Sequence, residues 1–180
     1  MPPSIKPALG LTLLDLLIVV AVLAVLANLA VPAFSALITE QRRLAFANEL
    51  ASGLRSARFE AVQRNRIVIL QPLGGQWANG WRMVVDESGQ GPADPRNPVI
   101  LNRAGPWPIS VVPSQNLSEQ IAFDHLGVPR LPNRGALAGT FHLCEADRSD
   151  HRRVVIARTG RVRVTRDGAP TALCPLSSGS

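Results

Sequence analysis

The sequence lacks the residue patterns on which most enzymes depend. It has three His, and its 13 Asp and Glu residues are scattered without a paired catalytic motif. No nucleophile elbow, glycine-rich phosphate loop or His-Glu-x-x-His motif occurs along the chain. Neither the apolar nor the charged content is extreme enough for a disordered or collagen-like chain. We therefore expect a folded protein that is not an enzyme and that holds no cofactor or metal ion.

Aromatic residues and cysteines are scarce as well. The 180-residue chain has five Phe, three Trp and no Tyr, and the three Trp lie far in sequence from the basic stretch described below. Base stacking is therefore not implied. Cys144 and Cys174 allow one disulfide, which we expect if this part of the chain is exported to an oxidising compartment. A zinc site that adds His142 and His151 to these cysteines fits no common ligand spacing.

Hydrophobic residues are concentrated near the N terminus. From Leu11 to Phe34, 20 of 24 residues are hydrophobic, whereas the rest of the chain has the hydrophobic content of an ordinary soluble domain. A helix from Leu11 to Val31 would be about 30 Å long, which is enough to cross a bilayer. We expect a transmembrane helix over residues 11–34, joined to a soluble domain. A plain signal anchor, or a signal peptide cleaved near Ala30, is the alternative.

The hydrophobic run begins with the motif GLTLLDLL, from Gly10 to Leu17. This motif resembles the type IV pilin (class III) signal, in which prepilin peptidase cuts after the Gly and methylates the new N terminus. The family usually has Phe and Glu where this chain has Leu11 and Asp15. The resemblance implies that residues 1–10 are a leader peptide, that cleavage follows Gly10 and that Leu11 is methylated. It also implies that the Asp15 carboxylate, which is costly inside a bilayer, neutralises the N-terminal amine of a neighbouring pilin in the filament.

A second helical pattern follows the hydrophobic run. Seven apolar residues recur at steps of three and four and form one stripe: Leu44, Ala47, Leu50, Ala51, Leu54, Ala57 and Ala61. We expect an amphipathic continuation of the helix over residues 35–66, with this stripe lying on a sheet. The end of the helix, from Leu54 to Asn65, resembles that of GspH/FimT-type minor pilins, except that Phe59 stands where a small polar residue is expected.

Beyond Asn65 the pattern changes to short β-rich runs separated by turn residues. Candidate strands are Ile67–Leu70, Trp81–Asp86, Val99–Asn102, Ile109–Val112, Gln120–Asp124, Thr140–Cys144, Arg153–Arg158 and Arg161–Thr165. Residues 74–75, 89–98 and 127–135 are predicted to form loops. The predicted fold is α+β and pilin-like, with a long N-terminal helix, transmembrane and then amphipathic, packed on antiparallel β-sheet. Residues 67–180 would form a β-rich globular domain.

The net charge of +6 is confined to one stretch of the chain. Residues 151–166 contain six Arg and no acidic residue, while the remaining 13 basic and 13 acidic residues balance. A two-residue turn at Thr159-Gly160 would give a hairpin with an apolar and a basic face. The apolar face would carry Val155, Ala157, Val162 and Val164, and the basic face would carry Arg158, Arg161, Arg163 and, unexplained by this register, Ile156. A bulge or a three-residue loop would change which arginines face outward.

Part of this hairpin, GRVR from Gly160 to Arg163, matches the GRxR motif near the C terminus of FimT-like minor pilins. Some of those proteins bind DNA during natural transformation, and the resemblance implies DNA contact through Arg161 and Arg163. The local charge and register add four more arginines: Arg152, Arg153, Arg158 and Arg166. Each guanidinium can bind a phosphate through two hydrogen bonds. We therefore expect a minor pilin of a type IV pilus that binds double-stranded DNA through the phosphate backbone for DNA uptake.

Two other interpretations of these arginines stay open. The chain could be a FimU-like pilus-priming minor pilin, or a GspH-like pseudopilin of type II secretion, in which the same arginines contact neighbouring subunits and serve assembly only. The arginines could instead keep an exposed strand edge soluble and deter edge-to-edge pairing.

The resemblance also implies a location and a set of partners. Before assembly, a single span would hold the protein in the inner membrane, in contact with lipid and prepilin peptidase, with its C-terminal domain in the periplasm. It would then join other pilins in a pilus at the cell surface. An exported Cys144–Cys174 pair would close a loop of about thirty residues around the hairpin and stabilise the fold by about 3–4 kcal/mol.

Overall fold

The computed structural model of the chain describes residues 13–144, 150–168 and 173–174. These residues contain one long helix, nine strands and three short 3-10 helices. The helix, α1, spans Leu13–Arg64. The strands are β1 Ile67–Pro72, β2 Gly80–Asp86, β3 Val99–Ala104, β4 Ser110–Pro113, β5 Ile121–Phe123, β6 Pro129–Arg130, β7 Gly139–Cys144, β8 Asp150–Ile156 and β9 Val162–Gly168. The 3-10 helices are Leu73–Gly75, Trp77–Asn79 and Gln115–Leu117.

The predicted α+β fold is confirmed, and all eight predicted strands are present. Their observed ends differ from the predicted ends by up to three residues. The additional strand is β6, whose two residues lie within 127–135. Gly and Pro residues favoured a loop there, and the pairing of β6 with β5 is a long-range contact that local sequence does not encode.

The chain divides into two compact units, residues 1–41 and 42–180. In the first unit, the large apolar side chains between Leu13 and Leu26 are all more than half exposed. Asp15 lies in the first described turn of α1. Among the described residues, no helix is long and apolar enough to cross a membrane. Gly10 and Leu11, the predicted cleavage and methylation positions, lie outside the described residues.

In the second unit, the apolar stripe of α1 forms one side of the core. Six of the seven predicted stripe residues are fully buried, and Leu44 is half-buried. Phe46, which the predicted stripe does not include, is also fully buried. Its ring packs edge-on against Trp81 and Trp107, with centroid separations of 5.8 and 5.5 Å. Gly53 permits the close approach of Trp81 to the helix, because a Cβ there would lie 2.8 Å from the indole Nε1.

Two sheets complete the second unit, and every strand pairing in them is antiparallel. The larger sheet has the strand order β3-β2-β1-β5-β6, and the smaller has the order β4-β7-β8-β9. Both sheets and α1 contribute to one hydrophobic core, for example through Leu50, Leu70 and Phe141. Because β9 is the last strand of the smaller sheet, the β8–β9 hairpin lies at a sheet edge.

Candidate functional site

The β8–β9 hairpin carries the predicted arginines and turns through a three-residue loop. The Ala157 N–H donates to the Arg161 carbonyl and the Gly160 N–H donates to the Ala157 carbonyl, both at 2.9 Å. Gly160 has a φ of +78°, in the left-handed region that favours glycine. This combination defines a three-residue hairpin loop that ends in a glycine bulge. The predicted two-residue turn at Thr159-Gly160 is therefore wrong, and the three-residue loop that the sequence left open is confirmed.

The longer loop shifts the pairing of the two strands by one residue. Ile156 lies opposite Val162, and Val155 lies opposite Arg163. Since a shift of one residue exchanges the two faces of a strand, Ile156 is buried in the core and Val155 lies on the outer face beside Arg163. The prediction that Val155 shares the buried face is wrong, and Ala157, predicted beside it, follows the end of β8. The place of Ile156, which the predicted register did not explain, is now accounted for by core packing.

Three of the six predicted arginines are exposed at the loop and at the start of β9. They are Arg158, Arg161 and Arg163, which we call the arginine trio. Within the described parts of the chain, none of the three forms a hydrogen bond or an ion pair through its side chain. No carboxylate of the described residues therefore neutralises their charge.

The other three predicted arginines lie farther along the hairpin. Arg152 is opposite Arg166, and Arg153 is opposite Thr165. Arg152 and Arg153 are half-buried, Arg166 is exposed, and each of the three takes part in interactions within the chain. The structure therefore separates the predicted arginines into two groups, of which the arginine trio is the more open to a ligand.

Two arginines of α1 also reach the region of the hairpin. The Nη2 atom of Arg55 donates a hydrogen bond to the Val162 carbonyl at 3.2 Å, and the Nε atom of Arg58 donates one to the Gly127 carbonyl at 3.0 Å. Sequence reasoning missed both residues because it considered only the apolar stripe of the helix. The available signal was their spacing of three residues, which places the two arginines next to each other on the helix.

Arg55 covers part of the free edge of β9. The Arg161 carbonyl faces β8, since it accepts the hydrogen bond from Ala157. The next carbonyl along the strand, that of Val162, therefore points away from β8, where the sheet ends. An uncovered edge of this kind is a template for pairing with another chain. The Arg55 guanidinium satisfies the carbonyl and keeps its own positive charge.

Two glycines bring the hairpin loop against the turn between β5 and β6. Gly127 of that turn has a φ of +73°. A Cβ at Gly160 would clash with the Gly127 carbonyl oxygen and would lie 3.0 Å from the Nε atom of Arg58. A Cβ at Gly127 would lie 2.9 Å from the same Nε atom. Both positions therefore require glycine where the helix, the turn and the hairpin loop meet.

Asp124 fixes the turn that carries Gly127. Its carboxylate accepts hydrogen bonds from the backbone N–H groups of Leu126 and Val128 and from the Nε atom of Arg130, at distances of 3.0, 2.9 and 2.8 Å. Burial opposes ionisation of Asp124, but the hydrogen bonds together outweigh burial and lower its pKa. The ionised carboxylate is thus part of the support beneath the hairpin loop.

The predicted disulfide between Cys144 and Cys174 is present, and the Cα atoms of the two residues are 5.3 Å apart. It joins the end of β7 to a residue beyond β9, so the hairpin lies inside the loop that the bond closes. The alternative zinc site would need these sulfurs as thiolates, and the disulfide removes them. Within residues 13–144, 150–168 and 173–174, no three potential metal ligands cluster.

His142 of β7 lies opposite Arg153 of β8 and is 8% exposed. Burial lowers the pKa of His142 below its ordinary value of 6.5, and the nearby charges of Arg153 and His151 lower this pKa further. The imidazole is therefore neutral in the folded protein at neutral pH.

The described fold is that of a type IV minor pilin. Two crystal structures of the minor pilin FimU from Pseudomonas aeruginosa are similar to it, with TM-scores of 0.55 and 0.52. The sequence identities are 22% and 21%, and the alignments cover 76% and 73% of this chain and 95% and 96% of the FimU chains.

Sequence comparison identifies the family. The family described as Type II transport protein GspH matches residues 47–160. The pilin-like protein PilA1 of Thermus thermophilus is 32% identical over 163 residues, which cover 86% of this chain and 97% of that protein. The chain therefore belongs to the GspH family of type IV minor pilins and pseudopilins. The family match ends at Gly160, so Arg161 and Arg163 lie just beyond it.

Proposed function

We propose that this minor pilin binds DNA without sequence preference through the arginine trio, and that binding serves DNA uptake in natural transformation. The observation that carries the proposal is the state of these three side chains. They are exposed, and no carboxylate of the described residues pairs with them. They also lie on a hairpin whose opposite face is anchored in the core by Val154, Ile156 and Val162.

A phosphate backbone is the ligand that this arrangement fits. Each guanidinium is planar and donates two parallel hydrogen bonds to a phosphate. The disulfide, the core anchors and the Gly127–Gly160 contact hold the hairpin in place before binding, so binding costs little conformational entropy. Of the other three predicted arginines, Arg153 continues this outer face, whereas Arg152 and Arg166 lie opposite each other on the face that carries the core anchors. On duplex DNA, a plot of the logarithm of the binding constant against the logarithm of the salt concentration should have a slope of about −0.9 for each neutralised phosphate.

The test is a titration of fluorescent duplex DNA with the full chain in mild detergent, at several salt concentrations. Arg161→Ala/Arg163→Ala should weaken binding about tenfold or more, because two charge-assisted contacts are lost. The salt slope should become shallower by about 2. Unaltered binding by this variant would reject the named site.

The matched control removes two arginines that already have carboxylate partners. Arg64 pairs with Glu60 at 2.6 Å, and Arg96 pairs with Asp94 at 2.9 Å. Arg64→Ala/Arg96→Ala changes the net charge as much as the test variant does, yet should leave the affinity close to that of the wild type. Equal weakening by both variants would assign binding to overall charge and not to the hairpin.

We further propose the maturation route that the N-terminal motif implies. Prepilin peptidase would remove residues 1–10 and methylate Leu11, and residues 11–34 would hold the protein in the inner membrane with its C-terminal domain in the periplasm. Asp15 would then neutralise the N-terminal amine of a neighbouring pilin in a pilus at the cell surface. The mass of the mature protein tests this route, since an intact Met1 or a new N terminus beyond Ala30 would contradict it.

The alternative function is assembly without DNA binding, as a FimU-like priming subunit or a pseudopilin of type II secretion. The match to a family described as a type II transport protein favours this alternative. The same arginines would then contact neighbouring subunits of the filament. Absence of DNA binding at low salt would favour assembly over DNA uptake.

A further inference from the structure

Phe59 of α1 is an aromatic side chain on the surface of the second unit. All eight aromatic residues of the chain are described, and Phe34 and Phe59 are the two exposed ones. Phe59 is 64% exposed. Burying a ring of this size is favourable by roughly 1.5–3 kcal/mol, so a ligand or partner that covers Phe59 would gain about that much.

The helix places Phe59 next to Arg55, one of the two arginines that reach the hairpin region. Arg55 and Phe59 are four residues apart and Phe59 and Val62 are three apart, so the three side chains are neighbours on one helix face. Val62 borders the turn between β5 and β6, because a Cβ at Gly127 would lie 3.1 Å from its Cγ2 atom. Arg58 bonds to the carbonyl of the same glycine. Phe59 therefore lies along the junction between α1, this turn and the hairpin loop.

Arg55 and Arg58 are held in position while their charges stay available. Each donates one N–H group to a carbonyl oxygen, and within the described parts of the chain neither pairs with a carboxylate. A carbonyl fixes the guanidinium without neutralising it, and the other N–H groups can still donate to an anion. Because Arg55 binds the carbonyl of Val162, which stands between Arg161 and Arg163 in the chain, cationic side chains extend from beside Phe59 to the arginine trio.

We propose that Phe59 is a stacking platform for an unpaired base of single-stranded DNA, whose phosphates bind to Arg55, Arg58 and the arginine trio. A positively charged surface beside an exposed aromatic ring is the arrangement by which proteins bind single strands without sequence preference. The inference rests on the proposed DNA binding and extends it from duplex to single-stranded DNA. A subunit–subunit contact at this surface would need carboxylates from the neighbouring pilin to pair with the arginines that it buries.

The experiment compares three anionic probes: oligo(dT), a DNA duplex of matched length and heparin, which has charge but no bases. The full chain in mild detergent is titrated into each. Phe59→Ala should weaken oligo(dT) binding roughly 5- to 150-fold, the loss expected for one stacked base. Binding of duplex and of heparin should be unchanged. Phe59→Trp should keep the affinity for oligo(dT), and its added fluorescence should be quenched on binding.

The matched control is Val99→Ala, which shortens another apolar side chain more than half exposed but located on β3. It should change none of the three affinities. Unchanged oligo(dT) binding in Phe59→Ala, or equal losses for all three probes, would overturn the stacking role. Weaker self-association with unchanged oligo(dT) binding would overturn it in favour of a subunit contact. If wild-type protein binds no probe, both this inference and the proposed function fail; if only the stacking role fails, Arg161→Ala/Arg163→Ala still weakens duplex and heparin binding.

Discussion

At the scale of single residues, Gly160 determines where the arginine trio lies. It combines a left-handed backbone with a position where even a Cβ would clash with the Gly127 carbonyl. The turn below it is held by Asp124, and Arg58 closes the contact from the helix. A substitution at Gly160 therefore disturbs the loop and its support at the same time.

We predict that Gly160→Ala lowers the free energy of unfolding by about 2–3 kcal/mol, as measured by urea denaturation. The control is Gly89→Ala, because Gly89 also has a positive φ, of +71°, but has nothing within 4 Å of an added Cβ. Gly89→Ala should cost about 1 kcal/mol, the backbone penalty alone. Equal losses for the two variants would show that the contact with Gly127 contributes nothing to stability.

At the scale of elements, the β8–β9 hairpin shows how a register is decided. β9 alternates apolar and polar residues, so its buried face, which includes Val162, could be predicted from the sequence. β8 contains Val154-Val155-Ile156, three apolar residues in a row, and alternation cannot tell which of them are buried. The core accepts Val154 and Ile156, and the three-residue loop makes that register possible.

The disulfide closes a loop around the same hairpin, and we predict that its loss destabilises the fold. Cys144→Ser/Cys174→Ser should lower the free energy of unfolding by about 3–4 kcal/mol, because the unfolded chain regains the freedom of a loop of about thirty residues. Urea denaturation of wild-type protein with and without a reductant should give the same difference. An unchanged unfolding midpoint would contradict this role.

At the scale of the whole molecule, stability should fall in acid. His142 has a lowered pKa in the folded state, so the unfolded state binds more protons between that value and the ordinary 6.5. The stability that depends on neutral His142 is therefore fully present above pH 6.5 and is lost as the pH falls through the lowered folded-state pKa. The lowered pKa of Asp124 has the same sign at lower pH, since its protonation removes the hydrogen-bonded carboxylate.

We predict that His142→Gln flattens the decline in melting temperature just below pH 6.5. Its control is His125→Gln, which removes an exposed imidazole and should leave the decline as in wild type.

Asp124→Asn should flatten the decline at lower pH and lower stability at neutral pH, because the amide cannot replace the carboxylate as acceptor for Arg130. A decline identical in all variants would assign acid sensitivity to other groups.

The sequence by itself determined the features that depend on local pattern. Helical periodicity identified the core-facing stripe of α1, short β-rich runs identified eight strands, and two cysteines allowed one pairing. The GRVR motif and the concentration of charge identified the hairpin as the candidate site. These signals are local, since a residue's periodicity or spacing is set by the backbone geometry of its own segment.

Only the tertiary structure decided which of these features meet. Arg58 is 69 residues from Gly127 and Arg55 is 107 residues from Val162, and each contact exists because the helix and the two sheets share one core. Phe59 lies beside Arg55 through helix spacing alone, but only the tertiary structure brings Arg55 to the edge of β9. Contacts over such separations depend on how elements pack, and no periodicity within a segment encodes them.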